Sequence, residues 1–247
     1  MNPKSKTEIE YMRKGGKILA KILANLKSHS KPGVSEKDLD HIAMDLCESY
    51  GVTPAFLHYK KFPKSLCISI NDKVVHGIPS DYKIKNKDIV SLDYGVIYKG
   101  LYTDAAISFQ VGEKDQNVTD FLNTVRKSRD EGIKMAIAGN FAGDISHAME
   151  IPVIEKGFSV VKELAGHGIG YKLHEDPFIL GYGKKGIGMK LQKNMTLAIE
   201  SMINMGKDSI IEEADGWTIR TKDHSLSGHF EHTIVVTDSI PEILTLL

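Results

Sequence analysis

The spacing of apolar residues along the chain changes period several times. Ile9, Met12, Leu19, Ile22, Leu23 and Leu26 recur at helical spacing behind Thr7 and Glu10, a capping-box pattern, so a first helix is expected over about residues 8–28. Gly15-Gly16 inside it costs about 1 kcal/mol per glycine relative to alanine, which points to close packing against a neighbouring element. After Lys31-Pro32-Gly33, Ser35 opens a second helix carrying Leu39, Ile42, Ala43 and Leu46 and closed by Gly51. The pattern then shortens to strands: 66–70 and 74–76 as a pair around Asn71-Asp72, and 89–97 with 101–111 across Lys99-Gly100. Asn117 is expected to cap a long helix to about residue 138. Asp144 should start a shorter one ending at Gly157, kinked or cut short by Pro152. Strands follow at 196–203, 210–213, 217–221 and 229–237.

The order helix, helix, strands thus occurs twice. A shift of 106 residues places Gly33 on Gly139, Leu39 on Ile145, Ile42 on Ala148 and Gly51 on Gly157, the trace of an internal duplication. Two such halves would share one sheet, with helices on one side and a cleft where their strands meet. The chain is read as one catalytic domain, 1–247, with an internal pseudo-twofold repeat.

Composition narrows the function. With 247 residues, 32 Lys+Arg against 32 Asp+Glu and a net charge of zero, the chain has no global field to hold a polyanion, and nucleic acid is not an expected substrate. Only Cys47 and Cys67 are present, which fits a reduced, cytoplasmic compartment. No apolar run follows the N-terminal lysines and none approaches a membrane span, so neither a signal peptide nor a membrane partner is expected. The run Gly181-Tyr182-Gly183-Lys184-Lys185-Gly186 matches a dinucleotide fingerprint literally, but no helix is expected behind it to present amides to a pyrophosphate.

Acidic residues inside apolar strands carry more information. Asp93 in Val90-Ser91-Leu92-Asp93-Tyr94-Gly95 and Asp104 in Tyr102-Thr103-Asp104-Ala105-Ala106-Ile107 would face each other across a hairpin. Opposed carboxylates repel unless a cation lies between them. Glu200 interrupts Leu197-Ala198-Ile199-Glu200-Ser201-Met202-Ile203, and Glu231 precedes His232-Thr233-Ile234-Val235-Val236; acids in such settings are rarely solvated decoration. Gly166-His167-Gly168-Ile169-Gly170 adds an imidazole among glycines, with His174 seven residues on. Four carboxylates and one imidazole suit Mn(II), Fe(II), Co(II) or Zn(II) rather than a thiolate zinc site, and four negative charges balance two divalent cations. Two such ions ~3.5–4 Å apart are a standard arrangement for hydrolysis.

The ordered set of motifs resembles the type I methionine aminopeptidases. The likeness runs over nearly the whole chain, through Pro63-Lys64-Ser65-Leu66-Cys67-Ile68-Ser69-Ile70-Asn71, His76-Gly77-Ile78-Pro79, the 166–170 segment, Asp215-Gly216-Trp217 and Glu231-His232-Thr233-Ile234-Val235-Val236-Thr237. The resemblance implies an α+β, duplicated pita-bread fold with a central antiparallel curved sheet, helices on its outer face and a dinuclear metal cleft. It also implies removal of the initiator methionine from nascent peptide N-termini, by a monomer with at most transient ribosome contact. Carried over by position, Asp104 and Glu231 bridge the ions, Asp93 binds one, and His167 with Glu200 the other, Glu200 doubling as proton shuttle. His174 polarises the scissile carbonyl, and His76 contacts the scissile amide nitrogen. Tyr59, Phe62, Cys67 and Trp217 line the methionine pocket, for each of which ordinary core packing is the alternative.

Three residues depart from the family pattern: Lys60 where a histidine is common, Ser201 where proline is usual after the glutamate, and Phe56 at a pocket edge where bacterial members often carry a smaller residue. Two rivals stay open, a peptidase cutting before proline and a binding module that has lost catalysis. The first generally carries an additional N-terminal domain and the second normally loses ligands.

Overall fold

The computed structural model describes residues 3–246. Along the chain, α1 (Lys6–His29) and α2 (Glu36–Tyr50) precede β1 (Thr53–Pro54), β2 (Cys67–Ile70), β3 (Lys73–Val75) and the hairpin β4 (Ile89–Tyr98) and β5 (Leu101–Gln110). Then α3 (Gln116–Lys134) and α4 (Ala142–Glu155) precede β6 (Ser159–Val160), β7 (Ala165–Gly168), β8 (Glu175–Leu180), β9 (Thr196–Asn204), β10 (Ile210–Glu212), β11 (Ile219–Thr221), β12 (Ser227–Val235) and β13 (Glu242–Ile243).

The cap of α1 is Ser5 rather than Thr7. Its hydroxyl accepts from the Glu8 amide, and Glu8 accepts from the Ser5 amide at 2.7 Å, one box upstream of the expected one. In α2, Ser35 and Asp38 close the same motif and Gly51 ends the helix at φ 65°. Asp115, not Asn117, caps α3, accepting from the amides of Asn117 and Val118. The fourth helix runs through Pro152 to Glu155 instead of ending early. Its buried face, with Ile145, Met149 and Val153, holds it against the sheet, and the Met149 carbonyl accepts from the Ser128 hydroxyl at 2.7 Å.

Every strand pair is antiparallel. In one sheet β4 pairs β5 on one side and β1 and β2 on the other; in the second the order is β13-β12-β9-β7-β8, with β6 also on β9. The two sheets meet where β5 lies beside β12, joined by hydroxyls. Thr233 Oγ1 accepts from the Asp104 amide (2.9 Å) and donates to its carbonyl (2.8 Å); Ser108 Oγ does the same for His229 (2.8 and 2.8 Å). The shared sheet expected from the repeat is therefore two sheets stitched along a seam. Strands β2 and β3 do not pair with each other: β3 leaves to join β11 and β10 in a small third sheet.

Alternation along each strand separates two faces. Leu92 and Tyr94 of β4 pack with Leu19, Leu23 and Leu39 of α1 and α2, while Leu197 and Ile199 of β9 pack with Ile145 and Met149 of α4. Residues alternating with them, Asp93 and Glu200 among others, face the cleft. The positions related by a 106-residue shift adopt matching conformations: Gly33 and Gly139 at φ 93° and 98°, Gly51 and Gly157 at 65° and 72°, with Leu39 and Ile145 both fully buried.

The glycine pair in α1 lies against the rest of the molecule as its composition suggested. A Cβ on Gly16 would lie 2.3 Å from the Leu244 carbonyl oxygen, whereas one on Gly15 would meet the Tyr98 Cβ at 3.1 Å. Gly16→Ala is therefore expected to lower stability by about 1–3 kcal/mol through overpacking. Gly15→Ala should be near neutral, because the helix-propensity gain of about 1 kcal/mol offsets a small adjustment. Urea unfolding of both variants checks this; equal stability of Gly16→Ala and the parent would remove the packing constraint.

Candidate metal centre

Four neighbouring strands each bring one carboxylate to the cleft. Glu200 on β9 and Glu231 on β12 are paired directly across the ladder. Asp93 and Asp104 are not face to face as expected: Asp93 stands opposite Ala106, and Asp104 opposite Gly95, so the two are diagonal neighbours on one face. The seam between β5 and β12 then brings Asp104 toward Glu231. His167 on β7 pairs with Ala198, which places it diagonal to Glu200; its Nδ1 bonds the Gly168 carbonyl (2.9 Å), and its Nε2 lies 3.9 Å from Glu200 Oε1. Ligand atoms of Asp104, His167 and Glu231 all lie within 4.8 Å of one another.

The electrostatics of this cluster favour a cation. Burial raises the Asp93, Asp104 and Glu231 carboxyls, and the neighbouring carboxylates raise them further, Asp104 to about 8. Burial also pushes Glu200 up, but the His229 hydrogen bond and the surrounding imidazoles bring it below the ordinary value. Among the described residues, buried Asp93 Oδ1 and Glu231 Oε1 have no hydrogen-bond partner. Unpaired buried oxygens amid mutually repelling carboxylates fit divalent ions, and the donor set of oxygens plus one imidazole is that of a hard or borderline metal.

All the residues singled out from the sequence line one cavity of about 540 Å³: the five candidate ligands with His76, His174, Tyr59, Phe62, Cys67 and Trp217. Phe62 and Trp217 meet edge to face at 5.1 Å, and His76 meets Trp217 at 6.2 Å. The His76 backbone is left-handed at φ 58°, an unfavourable state for a non-glycine residue. The next residue, Gly77, lies tight against β2: its carbonyl accepts from the Ile68 amide at 2.9 Å, and a Cβ there would fall 2.0 Å from the Ile68 carbonyl oxygen. Tyr59 Oη is 2.8 Å from His174 Nδ1. Burial lowers His174 to about 4, with the His167 ring beside it adding to the effect, and burial likewise lowers His76 and His167.

Of the departures, Lys60 sits at the cavity mouth with its ammonium 5.5 Å from the Tyr59 ring centroid. Phe56 lines the same cavity and meets Tyr94 edge on. Ser201, on the helix side of β9, donates to Ser128 Oγ at 2.7 Å and so ties the strand carrying Glu200 to α3. One cleft residue escaped the sequence reading. His229 is buried on β12, two positions before Glu231, with Nε2 2.9 Å from Glu200 Oε2. Strand alternation from Glu231 was the signal that could have found it. The glycine-rich run behaves as expected: no helix follows it, and carboxylates of α4 take its amides, Glu150 accepting from Gly183 (3.2 Å) and Asp144 from Gly186 (3.0 Å).

Comparison with known proteins agrees with this geometry. Residues 10–238 match metallopeptidase family M24. A methionine aminopeptidase of Clostridium acetobutylicum is 42% identical over 244 residues, covering 98% of each chain, and methionine aminopeptidase 1 of Bacillus subtilis is 40% identical with the same coverage. The crystal structure of methionine aminopeptidase from Thermotoga maritima superposes with a TM-score of 0.98 at 40% identity, covering 100% of both chains. A prolidase from Pyrococcus furiosus shares the fold at 22% identity and TM-score 0.81, with this chain covering 65% of it. The chain has the pita-bread fold and belongs to metallopeptidase family M24, within it to the methionine aminopeptidases.

Proposed function

We propose that this protein hydrolyses the first peptide bond of new polypeptides that begin with methionine followed by a small residue. Two divalent ions of the Mn, Fe(II), Co or Zn type would be held by Asp93, Asp104, His167, Glu200 and Glu231, Asp104 and Glu231 being shared. The observation that carries the reading is the carboxylate cluster, with two orphaned buried oxygens, at one end of a cavity walled by Tyr59, Phe62, Cys67 and Trp217. Bound there, the ions would supply Lewis acidity and an activated water.

The side chains supply the rest. Burial keeps His174 neutral, so one ring nitrogen donates and the other accepts. With the Tyr59 hydroxyl donating to Nδ1, the proton resides on Nε2, where it can donate to the carbonyl oxygen as negative charge develops. His76 reaches the scissile nitrogen, and Glu200 carries the proton between attacking water and leaving amine. An unbranched thioether suits the aromatic walls and the Cys67 thiol. We further read the chain as a cytoplasmic monomer, one catalytic domain of two related halves, acting on nascent N-termini with only transient ribosome contact.

A peptide panel tests the specificity. Met-Ala-Ser should be cleaved, Met-Lys-Ser rejected by crowding at the mouth, and formyl-Met-Ala-Ser resistant because its nitrogen is blocked; comparable release from all three would refute the pocket assignment. Catalytic roles separate by variant. Asp104→Asn should lose both activity and bound metal, while His174→Ala should keep its metal and lose ~10²–10³ in kcat, the size of one oxyanion donor. Metal content by mass spectrometry beside initial rates distinguishes them.

Removal of metal should also expose the raised carboxyls. Unfolded carboxyl groups titrate near ~4, whereas Asp104 in the folded chain titrates near about 8, with Asp93 and Glu231 raised as well. The buried histidines His76, His167, His174 and His232, all lowered, act in the opposite sense up to their unfolded value near ~6.5; above about pH 7 they are neutral in both states, and there the folded, metal-free chain binds more protons than the unfolded one, so its stability falls as pH rises. Melting of chelator-treated protein should therefore move to lower temperature from about pH 7 to 9, and added Mn(II) should largely abolish that slope. A metal-free melting temperature that rises over this range would contradict the cluster electrostatics.

A further inference from the structure

Glu200 sits between two histidines, one from each neighbouring strand. His167 is its diagonal neighbour on β7 and His229 its diagonal neighbour on β12. The two carboxylate oxygens are divided between them: Oε1 faces His167 Nε2 at 3.9 Å, and Oε2 bonds His229 Nε2 at 2.9 Å. A carboxylate oxygen only accepts, so His229 Nε2 is the donor. We propose that His229 is a positioning residue that holds Glu200 by Oε2 and thereby presents Oε1 to the ion on the His167 side. This rests on the reading of Glu200 as a metal ligand.

Three observations support the assignment. The hydrogen bond lies within the normal range and is buried at both ends. The His229 backbone is itself fixed from across the seam, its amide donating to Ser108 Oγ and its carbonyl accepting from the same hydroxyl, both at 2.8 Å. The Ser108 hydroxyl is in turn 2.6 Å from that of Ser91 on β4. A chain of contacts thus runs from the first sheet through β12 to a ligand on β9. Hydrogen-bond partners of this kind typically change metal affinity or activity about 10–100-fold when removed. His229 and both glutamates also lie within 4.8 Å of one another, so direct ligation by His229 is the competing arrangement.

The test titrates the metal-free full chain with Co(II), following heat by calorimetry and the visible absorption of the bound ion, for the parent and for His229→Ala, His229→Gln and Glu200→Gln. The positioning role predicts that His229→Ala weakens the tighter binding event about 10–100-fold and shifts the Co(II) spectrum. It also predicts that His229→Gln, whose amide keeps a donor, recovers most of the affinity and the parental spectrum. Parental affinity and spectrum in His229→Ala would overturn it, as would an equal loss in His229→Gln, the mark of direct ligation. If instead Glu200→Gln binds Co(II) as the parent does, the ligand reading of Glu200 fails and the proposal with it. Far-ultraviolet circular dichroism of each metal-free variant identifies any that do not fold, and the glutamine variant keeps the test open if alanine is not tolerated.

Discussion

Carboxylates from four strands converge on one volume whose walls give them little solvation, and this conflict organises the molecule. Burial and the neighbouring carboxylates push Asp93, Asp104 and Glu231 up, while only the surrounding histidines hold Glu200 down, and two buried oxygens find no protein partner. Such a cluster is costly in the metal-free chain and becomes favourable only with compensating charge. Stability has to come from elsewhere. It comes from the opposite faces of the same strands, where β4 and β9 bury leucines, isoleucines and Tyr94 against the helices. A period-2 backbone thus lets adjacent residues carry opposite duties.

Holding the four acids in register across two sheets is a separate problem, because no backbone ladder links β5 to β12 among the described residues. Hydroxyls take its place. Thr233 engages both backbone groups of Asp104, and Ser108 both backbone groups of His229. Each bridge satisfies two polar groups that a buried seam would otherwise leave unpaired. Each also lies at, or two residues from, a carboxylate of the cluster, so the seam aligns the site as it closes the core.

Much of this was legible in the sequence because it depends on local periodicity. The four long helices, the β4–β5 hairpin and the strands around Glu200 and Glu231 follow from spacing alone, and the acids stood out because they interrupt apolar runs. The errors share a different origin. Thr7 and Asn117 are plausible caps, but Ser5 and Asp115 win because the helix starts follow chain entry and side-chain reach, which composition does not encode. The pairing of β2 with β3 looked local, yet β3 is captured by β11, nearly 150 residues away. Asp93 and Asp104 are offset because hairpin register opposes Asp104 with Gly95. For His229 the sequence offers only alternation, which puts it on the Glu231 side of β12; that Glu200 is its partner follows only from cross-strand register.

The candidate ligands and the aromatic wall of the cavity are held by different means. Every candidate ligand lies on a strand paired to its neighbours, and Glu200 is fixed from both faces of β9, by Ser201 to α3 on one side and by His229 on the other. Of the cavity-wall residues, Cys67 lies on β2 opposite Asp93, whereas Tyr59, Phe62 and Trp217 lie outside the strands. The segment 58–62 that carries Tyr59 and Phe62 has His58, Lys60 and Lys61 in left-handed backbone at φ 65°, 47° and 74°, conformations that cost non-glycine residues of order 1–3 kcal/mol each and persist only when surroundings impose them. What imposes them here includes the Tyr59 contact with His174 and the Phe62 contact with Trp217. Ligand geometry therefore tolerates little change, since shifting one strand moves its whole register. The loop that carries Lys60 belongs to no ladder among the described residues, so its conformation is not set by the register of the acids. Apart from Cys67, the acids and the aromatic wall beside them are thus fixed by separate parts of the chain, the first by ladder register and the second by side-chain contacts.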